Sequence, residues 1–458
     1  MDKKHLVIIG AGIGGYTAAL KGAAGGLRVT LIEKDVLGGT CLNYGCIPMK
    51  VFLHKVQLLA ETERNMASGI FEGHISMDMK KVQEEKADVI GELTYGLRHK
   101  MKKAGVRMIQ GAASVASLKD EIVVEVLKSD GSTEAVTGDG LIVATGAHTE
   151  VPEQFRRFSS DDVWTTKELL ELDEIPKSAV VIGGGVAGLE AGAFLTGAGC
   201  IVNIIEMNSH ILEGFDPDIS DELIGQLEDQ GIVFYLHTAV NSVEKIEEGF
   251  LLSIHSDGQE AVLEAEKIII CTGRNATIHE IGLEVAGVRV DSGKITVDDH
   301  QETNIPGVYA VGDCASGPML AHGAAEEARR AVDHILGNES GRLQAMPVFL
   351  YTMPAVASVG MTSVEAKARG FRPVESCAHF YANGMARILR RTDGFVKLVA
   401  DADSGRILGF HMIGPYAEEI LGTGTVFVAA GLTAKSLLEA VYPHPTVVEA
   451  VREALEGL

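Results

Sequence analysis

The sequence has 458 residues, 40 lysines and arginines, 63 aspartates and glutamates, and a formal net charge of −23. So many acidic groups make non-specific binding to nucleic acids unfavourable, and no nucleic-acid partner is expected. A chain of this length is too long for one ordinary hydrophobic core, so two to four domains are expected. The uncharged run at residues 420–434 has 15 residues, too few to span a bilayer.

The amino terminus has two lysines followed by an apolar run, an arrangement that superficially resembles a signal peptide. Glycines interrupt that run, and no small-residue cleavage site follows before Glu33. The six cysteines also lack the arrangement of a secreted disulfide framework. We therefore expect a cytoplasmic protein that does not associate with a membrane.

The first chemical motif follows an apolar strand and has the pattern Gly10-x-Gly12-x-x-Gly15. In such motifs the first glycine makes a tight turn, the second lets the backbone approach a pyrophosphate, and the third lets helix and strand pack closely. The next strand ends at Glu33, whose carboxylate can accept hydrogen bonds from a ribose. A single copy of this motif is weak, because glycine-rich structural turns also match it.

The stretch GGTCLNYGCIPMK places Cys41 and Cys46 five positions apart. They could be inert core thiols, half of a metal site, a structural disulfide or a redox pair. A regular helix advances about 7.5 Å over five residues, whereas a disulfide needs Cα atoms about 4.4–6.8 Å apart. A bridge therefore requires irregular backbone, for which Gly45 and Pro48 are suitable.

A metal site would need further ligands at matching spacing, and the chain has no second cysteine pair. Cys200, Cys271, Cys314 and Cys377 are scattered among apolar residues, and we expect them in the core. No metal site is therefore expected.

The glycine pattern recurs as Gly183-x-Gly185-x-x-Gly188, again between an apolar strand and a helix. The following strand ends at Glu206, 18 residues after the last glycine, the same separation as in the first copy. Two copies in the strand–turn–helix context predict two dinucleotide sites. An acid at Glu206, with no arginine after it, favours NAD over NADP at the second site.

The remaining segments outline an α/β chain with a distinct third part. Residues 51–100 have the periodicity of one or two helices. Short strands at 141–147 and 267–274, each ending in Thr-Gly, bracket the second copy and predict that it is inserted into the first domain. After the strand at 307–315 and a helix, short β-like runs alternate with helices from about residue 339.

Near the carboxyl end, HPTVVE contains Thr446-x-x-Glu449 before an apolar run. This is a good capping box, in which Glu449 would be structural and His444 a loop residue. The local sequence does not decide between that role and a catalytic His–Glu pair.

Taken together, these motifs resemble the class I flavin-dependent pyridine-nucleotide disulfide oxidoreductases, and within them the branch that oxidises dihydrolipoamide. The resemblance extends from about residue 5 to 455. It rests on the cysteine motif, both glycine motifs, and the segments ATG, CTGR, VYAVGDCA, LAHGA, YTMPAVASVG and HPTVVE.

The resemblance implies two Rossmann-like domains, for FAD and NAD, and a carboxyl-terminal α+β domain that forms a homodimer. The expected boundaries are residues 1–148 and 273–338 for FAD, 149–272 for NAD and 339–458 for the interface. FAD contacts are expected from the first glycine motif and Glu33, and also from Lys50, Ala113 in a turn, Thr145, Gly146, Asp313 and Ala321. NAD contacts are expected from the second glycine motif, Glu206, Val240 and Gly273.

The family's catalytic roles transfer to matching residues. Cys41 would exchange with the dithiol, and Cys46 would form the thiolate beside the flavin. Lys50 would pair with Glu190 near the flavin. His444, oriented by Glu449, would act as the base on the other subunit's disulfide. Lipoyl-bearing subunits of a 2-oxo acid dehydrogenase or of the glycine cleavage system are the implied partners.

Four positions depart from the family pattern: Tyr44, Met49, Ala355 and Val448. They put the identity of the dithiol in doubt more than the chemistry. Alternatives are another NAD(P)H-dependent disulfide reductase, a mercuric reductase, or a non-catalytic flavin-bearing structural subunit. Glu206 argues against an NADPH enzyme, the ending EALEGL against the mercuric reductase, and the intact cysteine and His–Glu pairs against the structural subunit.

Overall fold

The computed structural model describes residues 3–256, 259–284, 286–339, 341 and 345–458. Contacts divide the chain into two compact units. The first comprises Met1–Val51, Lys80–Glu150 and Gly273–Arg342. The second comprises Phe52–Met79, Val151–Thr272 and Leu343–Leu458.

The elements are numbered in chain order. The helices are α1 (Ile13–Ala24), α2 (Gly39–Asn43), α3 (Cys46–Ala67), α4 (Met79–Lys103), α5 (Thr166–Leu169), α6 (Val186–Gly197), α7 (Pro217–Asp229), α8 (Ala321–Ile335), α9 (Ser363–Ala368), α10 (Gly384–Leu389), α11 (Ala417–Ala429), α12 (Ala434–Leu438) and α13 (Glu449–Glu456). The strands are β1 (His5–Ile9), β2 (Arg28–Glu33), β3 (Arg107–Gln110), β4 (Ala112–Leu118), β5 (Ile122–Leu127), β6 (Thr133–Gly138), β7 (Gly140–Val143), β8 (Ala147–Thr149), β9 (Val163–Trp164), β10 (Ser178–Ile182), β11 (Ile201–Ile205), β12 (Val233–Tyr235), β13 (Thr238–Ile246), β14 (Gly249–Ser256), β15 (Gln259–Ala265), β16 (Lys267–Ile270), β17 (Arg274–Ala276), β18 (Val290–Asp291), β19 (Lys294–Ile295), β20 (Val308–Ala310), β21 (Val348–Leu350), β22 (Ala355–Gly360), β23 (Pro373–His379), β24 (Phe395–Asp401) and β25 (Ile407–Gly414).

The first unit contains a parallel sheet in the order β20-β7-β1-β2-β3 and an antiparallel sheet, β4-β5-β6. Strand β1 (HLVII) is buried along its whole length, as expected for a parallel strand covered on both faces. Ile9 lies opposite Ile32 on one side and Val143 on the other. The carboxyl ends of β1, β2 and β7 therefore meet at one edge, where the first glycine motif begins.

The second unit contains an equivalent parallel sheet, β12-β11-β10-β16-β9, and an antiparallel sheet, β13-β14-β15. Ile182 lies opposite Ile205 and Ile270, as Ile9 does opposite Ile32 and Val143 in the first unit. The second glycine motif therefore starts at the corresponding sheet edge.

The second unit also holds an antiparallel sheet in the order β21-β22-β25-β24-β23, against which α11 and α13 pack. All residues of β24 and β25 are buried. The predicted fold class is confirmed: two Rossmann-like parallel sheets and a carboxyl-terminal α+β segment. The predicted domain boundaries remain predictions. In the described part of the chain, no helix combines the length and apolarity needed to cross a membrane.

Candidate functional site

Cys41 and Cys46 form a disulfide, with Cα atoms 4.6 Å apart. Helix α2 ends at Asn43, Tyr44 has a non-helical backbone (φ −134°, ψ 13°), and α3 begins at Cys46. The interruption between two helices brings the cysteines closer than one regular helix would. The predicted irregular backbone is confirmed.

The redox loop is attached to the first glycine motif. The Gly38 N–H donates to the Ala11 carbonyl at 2.9 Å. A Cβ placed on Gly39, which has φ of +60°, would lie only 2.7 Å from Gly12 Cα. Glycine at position 39 therefore allows the segment that carries Cys41 to lie directly on the backbone of the motif.

The two glycine motifs have the same geometry. The first glycine of each has positive φ, +98° at Gly10 and +112° at Gly183. A Cβ on Gly15 would overlap the Gly10 carbonyl oxygen, and one on Gly188 would overlap that of Gly183. By contrast, a Cβ on the middle glycine, Gly12 or Gly185, would meet nothing within 4 Å. The open side of the middle glycine is where a pyrophosphate can approach.

The two acids at the strand ends also have matching environments. Glu33 accepts hydrogen bonds from the N–H groups of Ala11 (2.6 Å) and Asp35 (2.7 Å). Glu206 accepts them from Gly184 (2.7 Å) and Asn208 (2.8 Å). Each carboxylate oxygen keeps a further lone pair for a ribose hydroxyl. Open middle glycines and oriented carboxylates fit a dinucleotide at both positions.

Asp313 lies in a short 3₁₀ turn (Gly312–Cys314), where its carboxylate is 3.4 Å from Arg274 Nε. The Gly312 N–H donates to the buried Glu327 carboxylate at 2.6 Å. Burial raises the pKa of Glu327. Neither Arg274 nor Glu327 was predicted. From the CTGR segment only Gly273 was assigned a role, and no short motif includes Glu327.

His444 and Glu449 are brought together in the second unit, with Nδ1 and Oε1 2.8 Å apart. Glu449 Oε2 also accepts from the Thr446 N–H at 2.8 Å, but helix α13 begins at Glu449, its N-cap is Val448 and no side chain caps it, so the predicted capping box does not form. The Thr446 hydroxyl instead donates to the Pro443 carbonyl. The hydrogen bond from the Thr446 N–H, followed by that to His444, lowers the pKa of Glu449. The structural and catalytic interpretations of Glu449 are thus compatible.

Glu190 is buried in helix α6, and its Oε1 accepts from the Tyr351 N–H at 3.0 Å. Lys50 lies in α3, one turn after Cys46. The predicted pairing of Lys50 with Glu190 joins residues of different units and stays a prediction.

The other predicted cofactor residues lie in strands, turns and helix ends. Gly146, with φ of +66°, accepts through its carbonyl from the Thr277 N–H, and Thr145 precedes it. Ala321 is the first residue of α8, and Val240 lies in β13. Gly273 has φ of +130°. Ala113 was expected in a turn, which is wrong: it lies in β4, opposite Val126, because 112–118 pairs with β5.

The other cysteines differ in exposure. Cys200 and Cys314 are buried and Cys271 is half-buried, but Cys377 is exposed. The expectation of a core position is therefore wrong for Cys377, which lies on β23, the edge strand of its sheet. Burial raises the pKa of Cys200 and of Cys271 to about 12, so both are poor nucleophiles. Within the described ranges, no cluster of three or more His, Cys, Asp or Glu is arranged to hold a metal ion.

Comparison with known proteins agrees with this geometry. Residues 4–328 match the pyridine nucleotide-disulphide oxidoreductase family, and residues 346–455 match the dimerisation domain of that family. Dihydrolipoyl dehydrogenase of Haloferax volcanii is 35% identical over 460 residues, covering 99% of this chain and 96% of the relative. The enzyme of the same name from Geobacillus stearothermophilus is 34% identical, covering 98% and 95%.

Two solved structures share the fold. LpdA from Mycobacterium tuberculosis superposes with a TM-score of 0.92 at 25% identity, covering 99% of each chain. The HOCl-induced flavoprotein disulfide reductase RclA from Escherichia coli has a TM-score of 0.87 at 26% identity, again covering 99% of each chain. With its two matched glycine motifs and a disulfide joined to the first, the chain belongs to the pyridine nucleotide-disulphide oxidoreductase family.

Proposed function

We propose that this protein is a dihydrolipoyl dehydrogenase, which oxidises dihydrolipoamide with NAD⁺ through FAD and the Cys41–Cys46 disulfide. The observation that carries the proposal is the attachment of the disulfide loop to the first glycine motif, through Gly38 and Gly39. A dithiol substrate and a nucleotide cofactor would then act at neighbouring positions. Both relatives are named dihydrolipoyl dehydrogenase and align over nearly the whole chain, which supports dihydrolipoamide as the substrate.

The thiol chemistry follows from disulfide exchange. One substrate thiolate attacks the Cys41 sulfur, which forms a mixed disulfide and releases Cys46 as a thiolate. The second substrate thiol then attacks the substrate sulfur of this mixed disulfide and expels Cys41. The substrate becomes a cyclic disulfide and the protein gains two thiols, so two electrons and two protons are transferred. The first glycine motif and Glu33 would hold FAD, which would supply the hydride chemistry toward NAD⁺.

His444 is the proposed base for the first substrate thiol. Its Nδ1 faces Glu449, which fixes the proton on that nitrogen and leaves Nε2 to accept one. We propose that His444 serves the disulfide of a second subunit in a homodimer, and the matched dimerisation domain supports this.

The finer assignments are part of the same proposal. The segments 1–148 and 273–338 bind FAD, 149–272 binds NAD, and 339–458 forms the dimer interface. Lipoyl-bearing subunits are the proposed partners and the cytoplasm the proposed location. The acid at Glu206, which repels a 2′-phosphate, supports NAD as the acceptor.

Steady-state turnover of dihydrolipoamide with NAD⁺ tests the function. We expect turnover with NAD⁺, much less with NADP⁺, and none in Cys46→Ser. Cys377→Ser, which removes an exposed thiol outside the redox loop, is the matched control and should keep full turnover. Absence of turnover in the FAD-loaded wild type would overturn the proposal.

Co-expression of Cys46→Ser and His444→Ala chains tests the shared site. Each variant alone should be inactive. Random pairing makes half of the dimers mixed, and each mixed dimer has one intact site, so about a quarter of wild-type turnover should return. No recovery would show that His444 serves its own subunit's disulfide.

A further inference from the structure

Asn43 lies between the two redox cysteines, at the end of helix α2. We propose that Asn43 is a positioning residue, whose side-chain amide holds the segment of Cys41 in place while the Cys41–Cys46 bond is open. The inference rests on the proposed function to the extent that the disulfide opens and closes during turnover.

The Asn43 amide spans the turn that precedes Cys41. Its Nδ2 donates to the Gly39 carbonyl at 2.9 Å and to the Leu37 carbonyl at 3.2 Å. Both hydrogens of the amide are thereby used on main-chain oxygens, on either side of Gly38. Since Asn43 ends helix α2, the bond to Gly39 joins the two ends of that helix, and the bond to Leu37 joins its end to the segment before it.

Helix α2 depends on contacts outside itself for its stability. It has five residues, and an isolated helix of that length is unstable in water. Its N-cap is Gly38, which has no side chain to bond the first N–H groups. In the oxidised protein the disulfide anchors α2 to α3 covalently. Once that bond is reduced, the Asn43 amide and the packing of the buried Leu42 remain as anchors.

The turn that Asn43 fixes is the same turn that contacts the glycine motif. Gly38 donates to Ala11, and Gly39 lies against Gly12. The amide therefore sets the position of Cys41 relative to the nucleotide-binding loop as well as to Cys46.

Loss of the Asn43 amide should shift the equilibrium between disulfide and dithiol toward the dithiol. Loss of the Asn43 amide increases the conformational freedom of α2 more in the dithiol state than in the disulfide state, because the covalent bond still restrains the helix in the disulfide state. The dithiol state gains more conformational entropy, so reduction becomes more favourable. The relevant equilibrium is protein disulfide plus reduced dithiothreitol against protein dithiol plus cyclic dithiothreitol disulfide, compared between wild type and variants that carry the same bound FAD.

The test measures this equilibrium in the FAD-loaded protein. Wild type, Asn43→Asp and Asn43→Ala are equilibrated with defined ratios of reduced and oxidised dithiothreitol, quenched in acid and alkylated, and the redox peptide is quantified by mass spectrometry. We expect both variants to shift the equilibrium toward the dithiol by about tenfold, which corresponds to about 30 mV. Asn43→Asp replaces the donor by a carboxylate facing two carbonyl oxygens, whereas Asn43→Ala only removes the donor.

Asn65→Asp is the matched control. Asn65 also donates through its amide to a main-chain carbonyl, that of Glu61 at 2.8 Å, but lies in α3 outside the redox loop. Its equilibrium should stay within about twofold of wild type. The Tm of each protein is measured in both redox states. A merely structural role of Asn43 would lower both values equally, whereas the proposal expects the larger fall in the reduced state.

Variants that bind FAD, stay folded and match the wild-type equilibrium would overturn the proposal. A disulfide that dithiothreitol cannot open would overturn it too. The assay uses neither dihydrolipoamide nor NAD⁺, so its outcome is separate from whether the protein oxidises that substrate. If Asn43→Asp does not fold, Asn43→Ala and the two Tm values still decide.

Discussion

His444 Nδ1 lies 2.8 Å from Glu449 Oε1, and the second oxygen of the same carboxylate accepts the Thr446 N–H. One side chain therefore orients the imidazole and holds the turn that precedes helix α13. Both hydrogen bonds favour the ionised form and lower the pKa of Glu449. A carboxylate that stays ionised keeps accepting the Nδ1 proton, which leaves Nε2 available as a base.

The first prediction concerns the tautomer of this histidine. In Glu449→Gln the amide oxygen can still accept from Thr446, but the amide nitrogen then donates to His444 Nδ1 and the imidazole proton moves to Nε2. We expect the rate of disulfide reduction by dihydrolipoamide to fall at least about 100-fold, within the range for loss of a general base. Stopped-flow absorbance of the bound flavin measures this rate.

Glu453→Gln is the control for this prediction, because Glu453 is exposed on the same helix. The disulfide of this variant should be reduced by dihydrolipoamide at the wild-type rate. Equal rates for wild type and Glu449→Gln would show that Glu449 acts only through its hydrogen bond to the turn at Thr446.

The second prediction separates glycines needed for folding from glycines needed for binding. Gly12→Ala should leave the Tm of the FAD-free protein unchanged, since its Cβ would meet nothing within 4 Å, yet it should weaken FAD binding at least tenfold. Gly15→Ala should lower the Tm itself, because its Cβ would overlap the Gly10 carbonyl. Differential scanning fluorimetry and flavin fluorescence titration measure the two quantities.

The second motif provides an internal repeat of this experiment. Gly185→Ala should weaken NADH binding without lowering the Tm, and Gly188→Ala should lower the Tm. A drop in Tm for both middle-glycine variants would contradict the separation of roles.

The fold and both nucleotide motifs could be predicted because their signals are local. A buried strand, three glycines and an acid 18 residues on are set by the contacts within one strand–turn–helix–strand unit. The break between Cys41 and Cys46 was predictable for the same reason, since helix geometry and disulfide length conflict.

Features that depend on distant strands or side chains could not be predicted. Ala113 was placed in a turn because the pairing of β4 with β5 is not visible in four residues. Cys377 was placed in the core because its neighbours do not show that β23 is an edge strand. The hydrogen bonds from Gly312 to Glu327 and from Asn43 to Leu37 involve no recognised spacing.

The third prediction concerns nucleotide selectivity, for which the two copies control each other. Glu206→Gln should raise the KM for NAD⁺ about tenfold, through the loss of charge-assisted hydrogen bonds to the ribose, and should reduce the preference for NAD⁺ over NADP⁺. It should leave FAD retention unchanged. Glu33→Gln should show the reverse, with faster FAD loss and an unchanged KM for NAD⁺. An effect of either variant on both nucleotides would show that the sites are not independent.

The fourth prediction uses the buried acid beside the VGD turn. Burial raises the pKa of Glu327 above its usual 4.5, so its contribution to stability is fully present below that value and is lost as pH rises through the folded pKa. Glu327→Gln keeps an oxygen that can accept the Gly312 N–H but does not titrate. The Tm of the variant minus that of wild type should therefore increase as the pH is raised from about 4 to about 8.

The size of this change follows from the penalty for an ionised buried carboxylate, partly offset by the hydrogen bond from Gly312. Glu326→Gln on the same helix is the matched control for loss of one carboxylate, since Glu326 is half exposed. Scanning calorimetry of the three proteins at several pH values gives the comparison. A Tm difference for Glu327→Gln that stays constant over this pH range would show that the buried carboxylate does not limit stability. It would also show that the hydrogen bond to Gly312 offsets the cost of its charge.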